Sequence, residues 1–151
     1  MRRTMRPLAL LALGALLVPA ATPAASAQDA EDRPQFRAAR GRTTYRLYCR
    51  NCHGKDGQGD GPIAELLKVQ PADLTALAEK AGGELRAESV YQTIDGRNDI
   101  AAHGSREMPV WGFSFQDPSR SEDQEDEVRE RILDLVEFIR TLQPASSTTA
   151  E

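Results

Sequence analysis

The stretch Tyr48–Gly54, YCRNCHG, contains both cysteines of the 151-residue chain, Cys49 and Cys52, and one of its two histidines, His53. Three chemistries would use such a cluster: a dithiol redox switch, a metal site, and covalent attachment of haem. The spacing Cys-x-x-Cys-His is typical of the third. The two thiols can add across the vinyl groups of a haem, and the adjacent imidazole then lies beneath the iron. The motif therefore predicts a haem bound through Cys49 and Cys52, with His53 as an axial ligand of its iron.

Each of the other chemistries meets a physical difficulty. A structural zinc site needs four ligands. Cys49, Cys52, His53 and His103 could supply them, but the adjacent Cys52 and His53 cannot easily both face one tetrahedral ion. A thioredoxin-like dithiol requires a βαβ context, and no strand is predicted before the motif. A structural disulfide between the two cysteines would close a very small loop, which gains little stability.

The first 27 residues have the three parts of a secretory signal peptide. Three arginines precede the apolar run 8–18, and Ala-Ser-Ala at 25–27 forms a cleavage site. An uncleaved membrane anchor is the alternative, but the run is short for a bilayer span of about 20 residues. We expect cleavage after Ala27, a periplasmic location and no membrane span in the mature chain. Its 23 acidic and 16 basic residues give a formal charge of −7, which argues against a nucleic-acid partner.

The hydrophobic pattern predicts one all-α domain over residues 36–143, between disordered segments at 28–35 and 144–151. The expected elements are a helix over 36–48, a glycine-rich loop over 54–62, a helical turn within 63–69, a helix capped by Asp73 and ended by Gly82-Gly83, a helix over 84–94, an irregular segment over 95–112, and a C-terminal helix that begins after Ser121 and stops at Pro144. In the last helix, Ser121 and Gln124 have the spacing of a capping box.

Met108 is the only methionine after the predicted cleavage site and lies 55 residues after His53. The following Pro109 lacks a backbone donor and keeps Met108 extended, which suits a strap laid across a haem face. We predict Met108 as the second axial ligand. His103, in the polar stretch AAHGSRE, is the competing ligand, and a surface histidine is the simpler interpretation of it.

Together these features resemble the class I c-type cytochromes of the small bacterial periplasmic kind. The resemblance rests on CRNCHG, the loop ending in GDGP, the strap MPVWG and the amphipathic C-terminal helix, and it covers about residues 41–142. It implies a cytochrome c fold of short helices and loops wrapped around one covalent haem. In that fold the N- and C-terminal helices cross, with Gly41 and Tyr45 facing Leu135 and Phe138.

The resemblance also implies further roles at the site. Pro62 would offer its carbonyl oxygen to the imidazole of His53. Trp111 would pack on the haem edge or donate its indole N–H to a haem propionate, although simple core packing is an equal alternative. The implied protein is a periplasmic monohaem electron carrier, Fe(III)/Fe(II), with His/Met ligation and no catalytic residues. A haem peroxidase or gas-binding protein is the enzymatic alternative.

The implied partners are a redox donor and an acceptor, such as membrane respiratory complexes or a periplasmic dehydrogenase, and the protein is expected to be a monomer. Charge is segregated along the chain: residues 33–55 hold seven basic and no acidic side chains, and residues 117–137 hold nine acidic and three basic ones. We expect the two regions mainly to neutralise each other inside the fold. Arg46, Arg50 and Lys55 lie near the motif and could also recruit an acidic partner. The acidic segment 117–127 looks long for a minimal member of the family.

Overall fold

The computed structural model describes residues 33–98 and 108–145, and these form helices and loops with no strand, which confirms the all-α prediction. The helices are α1 (Pro34–Tyr48), α2 (Arg50–His53), α3 (Leu77–Lys80), α4 (Ala87–Asp95), α5 (Trp111–Ser114) and α6 (Glu125–Thr141), with 3₁₀ turns at Ala64–Leu66 and Leu74–Ala76. The signal-peptide prediction, His103 and most of the predicted tail lie outside the described residues. Within the described ranges, no helix combines the length and the apolar character that a bilayer span requires.

The two long helices, α1 and α6, pack against each other at Gly41. A Cβ atom at this position would lie 1.9 Å from the carbonyl oxygen of Asp134, so only glycine allows this approach. One turn later, Tyr45 is 1% exposed, and its ring centroid lies 5.0 Å from that of Phe138. The predicted contact between the terminal helices is therefore present.

One face of α6 supplies most of the core. Val128, Ile132, Leu135, Val136 and Ile139 are all buried, because the apolar residues recur at helical spacing. Leu85 and Ile94 from the α4 region and Phe115 after α5 complete the same cluster. The core thus fixes the middle of the chain against α6.

Ion pairs between α1 and α6 account for part of the charge segregation. Arg40 contacts Asp134 through two hydrogen bonds of 2.7 and 2.9 Å, and Arg37 contacts Glu130 at 2.6 Å and Asp134 at 3.5 Å. The expected internal neutralisation of the basic helix by the acidic helix is observed for these two arginines.

Several predicted boundaries need correction. Helix α1 begins at Pro34 and not at Phe36, because proline is pre-organised for the first helical position. Helix α4 begins at Ala87 and not at Glu84. Trp111–Ser114, whose first two residues were predicted to be irregular, forms the short helix α5.

The predicted capping box of the last helix is absent. The N-cap is Gln124 and not Ser121, because the Gln124 side chain bonds to the backbone N–H and C=O of Asp117. The carboxylate of Asp123 accepts the N–H of Glu125 instead, at 3.0 Å. Asp73, by contrast, caps its element as predicted, since its carboxylate accepts the N–H of Thr75 at 2.8 Å.

Candidate haem-binding site

The Cys-x-x-Cys-His motif opens onto a cleft of about 270 Å³. Helix α1 ends at Tyr48, and the chain continues directly into α2, so that the motif occupies one helical turn. The cleft brings together five of the six predicted site residues, Cys49, Cys52, His53, Met108 and Trp111. The sixth, Pro62, is exposed and is not among the residues that line it.

The imidazole of His53 is oriented by a backbone carbonyl. Its Nδ1 lies 3.0 Å from the oxygen of Ala72, and because a carbonyl only accepts, Nδ1–H must be the donor. The lone pair of a neutral ring is then on Nε2, the state in which a histidine can bind a metal. The structure thus supplies the expected kind of partner for His53, but Ala72 and not Pro62 provides the carbonyl.

The glycine-rich loop folds back tightly onto the motif. The N–H of Gly61 donates to the carbonyl of Cys52 at 3.1 Å, and the N–H of Gly59 donates to that of His53 at 2.9 Å. A Cβ atom at position 61 would lie 2.2 Å from the carbonyl oxygen of Asn51. Only a residue without a side chain therefore lets the loop close over the carbonyls of α2 in this way.

The Cys49 thiol lacks the acidity of a reactive redox cysteine. Both cysteines are free, and burial, with a smaller contribution from Cys52, raises the pKa of the Cys49 thiol to about 12. Reactive dithiols instead have one thiol of lowered pKa. Among the residues that the structure describes, no three His, Cys, Asp or Glu side chains are grouped to hold a metal ion; His103, the fourth ligand of the zinc alternative, lies outside them.

Trp111 belongs to a small aromatic cluster at the edge of the cleft. Its ring stacks on Phe115 with centroids 5.2 Å apart and meets Tyr48 edge-on at 5.6 Å. Its indole Nε1 is buried without a hydrogen-bond partner, the one such side-chain atom in the described ranges. A buried donor without an acceptor costs about 1–3 kcal/mol, so this position would favour a bound group that carries an acceptor oxygen.

The composition of the cleft fits a haem. Two cysteines, a histidine with an available Nε2 and a methionine thioether are the side chains that hold a haem c and its iron. The porphyrin carboxylates could accept the indole N–H of Trp111. Val69 lines the cleft and is 54% exposed, as is expected of an aliphatic side chain that a large apolar group would cover.

Some functional positions escaped sequence reasoning. Ala72 contributes a backbone carbonyl, and its residue type gives no signal for that role. The same holds for Tyr48 and Phe115, whose contact with Trp111 depends on the packing of α1 against α5. A hint existed only in Pro71, the residue before Ala72, because a proline restricts the path of the chain at that point.

Comparisons with known proteins agree with this chemistry. No curated protein and no solved structure is significantly similar to the chain. The family model described as cytochrome C oxidase, cbb3-type, subunit III matches residues 36–122. The match covers more than half of the chain and includes the Cys-x-x-Cys-His motif, the glycine-rich loop and the strap with Met108. The chain therefore belongs to this family of c-type cytochrome domains, which bind haem c and support electron transfer.

Proposed function

We propose that the mature chain is a periplasmic electron carrier with one haem c, attached through Cys49 and Cys52 and ligated by His53 and Met108. The observation that carries the proposal is that one cleft gathers these four side chains, although Met108 lies 55 residues after His53. The leader-like sequence at 1–27 supports export. The count of one haem follows from the single pair of cysteines.

The side chains around the cleft have distinct roles in this proposal. Haem iron, when bound, supplies a one-electron Fe(III)/Fe(II) couple, whose potential His/Met ligation raises. The hydrogen bond to Ala72 keeps the imidazole of His53 in the ligating tautomer and orientation. Trp111 would donate its indole N–H to a haem propionate, which would remove the cost of a buried, unpaired donor.

Whether Met108 binds the iron distinguishes an electron carrier from a haem enzyme. A peroxidase or gas-binding protein needs an open coordination position, whereas a carrier keeps both axial ligands bound. Met108 lines the same cleft as His53, and Pro109 limits the conformations of its backbone. This arrangement favours the carrier.

The test is an optical spectrum of the wild type beside Met108→Ala, after haem staining of denatured protein has shown covalent attachment. The wild type is expected to show the methionine–iron charge-transfer band and to resist carbon monoxide. The variant should lose the band and bind carbon monoxide. Leu67→Ala, at another residue that lines the cleft, is the control and should keep the band. An unchanged spectrum in Met108→Ala would refute the ligand assignment.

We further propose that redox partners are recruited by a basic face made of Arg42, Arg46, Arg50 and Lys55. These side chains line a groove of about 790 Å³ beside α1 and the end of α6, which they share with Asp56. Unlike Arg37 and Arg40, they form no ion pair with another described residue. Four such cations on an acidic chain favour an acidic surface on the partner, either a membrane respiratory complex or a periplasmic dehydrogenase.

The charge of this face can be tested with small redox reagents. Replacing Arg42, Arg46 and Arg50 by glutamine should slow electron exchange with anionic hexacyanoferrate by about tenfold at low ionic strength. Exchange with cationic hexaammineruthenium should not slow. Arg129→Gln is the control, because that side chain is 62% exposed on another helix. Equal effects of both reagents would contradict an electrostatic role.

A further inference from the structure

The carboxylate of Asp95, the last residue of α4, is buried. Asp95 is 4% exposed, and the Nε of Arg97 donates to it at 2.8 Å. The NH1 group of the same arginine donates to both carboxylate oxygens of Glu125, at 2.6 and 2.8 Å. Since Glu125 is the first residue of α6, Arg97 joins the end of α4 to the beginning of α6.

The backbone that follows Met108 lies directly on this ion pair. A Cβ atom at Gly112 would lie 2.2 Å from Oδ1 of Asp95 and 2.5 Å from Nε of Arg97. Gly112 is four residues after Met108 and belongs to α5. Trp111, which directly precedes Gly112, is held by its stacking on Phe115. The strap 108–112 therefore has two supports, the aromatic cluster and the pair of Asp95 with Arg97.

We propose that the cluster of Asp95, Arg97 and Glu125 is a positioning device that keeps Met108 at the haem. This role deepens the proposed function and rests on it. The cluster holds Gly112 of the strap against the ends of α4 and α6. A movement of the strap that carries the Met108 thioether away from the iron must therefore also displace the pair of Asp95 and Arg97. Arg97 is a positioning residue, since it acts on the ligand through Gly112.

Ordinary stabilisation alone does not explain why a charge is buried here. A buried ion pair is weak evidence for stability, because desolvation offsets much of its attraction, and a shape-matched apolar pair would serve as well. The directional hydrogen bonds of Arg97, one to Asp95 beneath Gly112 and two to Glu125 of α6, do specify one arrangement of this segment. Local opening is governed by such contacts, and here the opening would release the ligand.

The test measures how fast imidazole displaces Met108 in the ferric holoprotein. The displacement is monitored as the loss of the methionine–iron band. Arg97→Gln should accelerate displacement by about tenfold, equivalent to about 1.4 kcal/mol of strap opening. Arg97→Lys keeps the charge without the planar guanidinium, so its displacement rate should lie between those of the wild type and Arg97→Gln. Arg120→Gln is the matched control, because Arg120 also bridges two acids, Glu122 and Glu127, and neither acid is a partner of Arg97. It should exchange as fast as the wild type.

Gly112→Ala provides a second variant, in which the arginine is kept and the strap is pushed away from the pair; it should also exchange faster. If Arg97→Gln and Gly112→Ala both exchange like the wild type, the positioning role is refuted while the ligand assignment stands. If Arg120→Gln accelerates exchange equally, the effect is general destabilisation and the proposal is wrong. A wild type without the methionine–iron band would overturn the proposed ligation, and this role with it.

Discussion

Replacing Gly41 by alanine tests the helix contact that supports the whole domain. In an isolated helix the change would stabilise by about 1 kcal/mol. In this structure the new Cβ would meet the Asp134 carbonyl oxygen at 1.9 Å, whereas ordinary contact begins at 3.4 Å. Because the obstacle is backbone, α1 and α6 must separate by more than about 1 Å, a gap that forfeits about half or more of each dispersion contact.

Three large core side chains depend on this approach: Tyr45, Leu135 and Phe138. Each contributes about 1.5–3 kcal/mol through burial, so the loss is about 2–4 kcal/mol. After the gain in helix propensity, the free energy of unfolding should fall by about 1–3 kcal/mol. Guanidinium unfolding of the holoprotein, followed by far-UV circular dichroism, measures it. Thr43→Ala, an exposed change in the same helix, is the control. A Gly41→Ala protein as stable as the wild type would refute the close approach.

Three further predictions concern single contacts. Tyr45→Phe removes a buried hydroxyl that donates to the Gly54 carbonyl at 2.7 Å and should cost about 1 kcal/mol. Burial, with smaller contributions from Asp60 and Asp56, raises the pKa of Tyr45, so its contribution is fully present below the unfolded pKa of about 10 and is lost at higher pH; a pH series of melts should show a smaller alkaline loss in the variant. Gly61→Ala, which cannot close the loop on Asn51, should lower the yield of covalent haem on a stained gel, whereas the neighbouring exposed Pro62→Ala should not, and equal yields would contradict the loop geometry. Asp134→Asn, which weakens two arginine contacts at an 8%-exposed carboxylate, should destabilise by about 1–2 kcal/mol. Glu137→Gln, whose one arginine partner, Arg140, lies one turn later on the same helix at 3.4 Å, should change the free energy of unfolding less.

The parts of the fold that sequence reasoning predicted are those controlled by local chemistry. The first helix, the glycine-rich loop and the C-terminal helix follow from periodicity, glycine content and a stop at proline, all of which act within a few residues. The capping box failed because Gln124 bonds to Asp117, a non-helical partner seven residues earlier. Residue type alone could not show whether Gln124 would bond within a capping box at Ser121 or to the backbone of Asp117.

The sequence by itself determined the chemistry of the site: two thiols and an imidazole at haem-binding spacing, and a single methionine placed before a proline. The tertiary structure decided how these groups are held. Ala72 orients His53, the indole of Trp111 is left without a partner, and the pair of Asp95 and Arg97 supports Gly112. The reason is physical: a thiol or an imidazole carries its reactivity in its own atoms, whereas a backbone carbonyl, an unpaired donor or a close glycine contact acquires its role only from what folding places beside it.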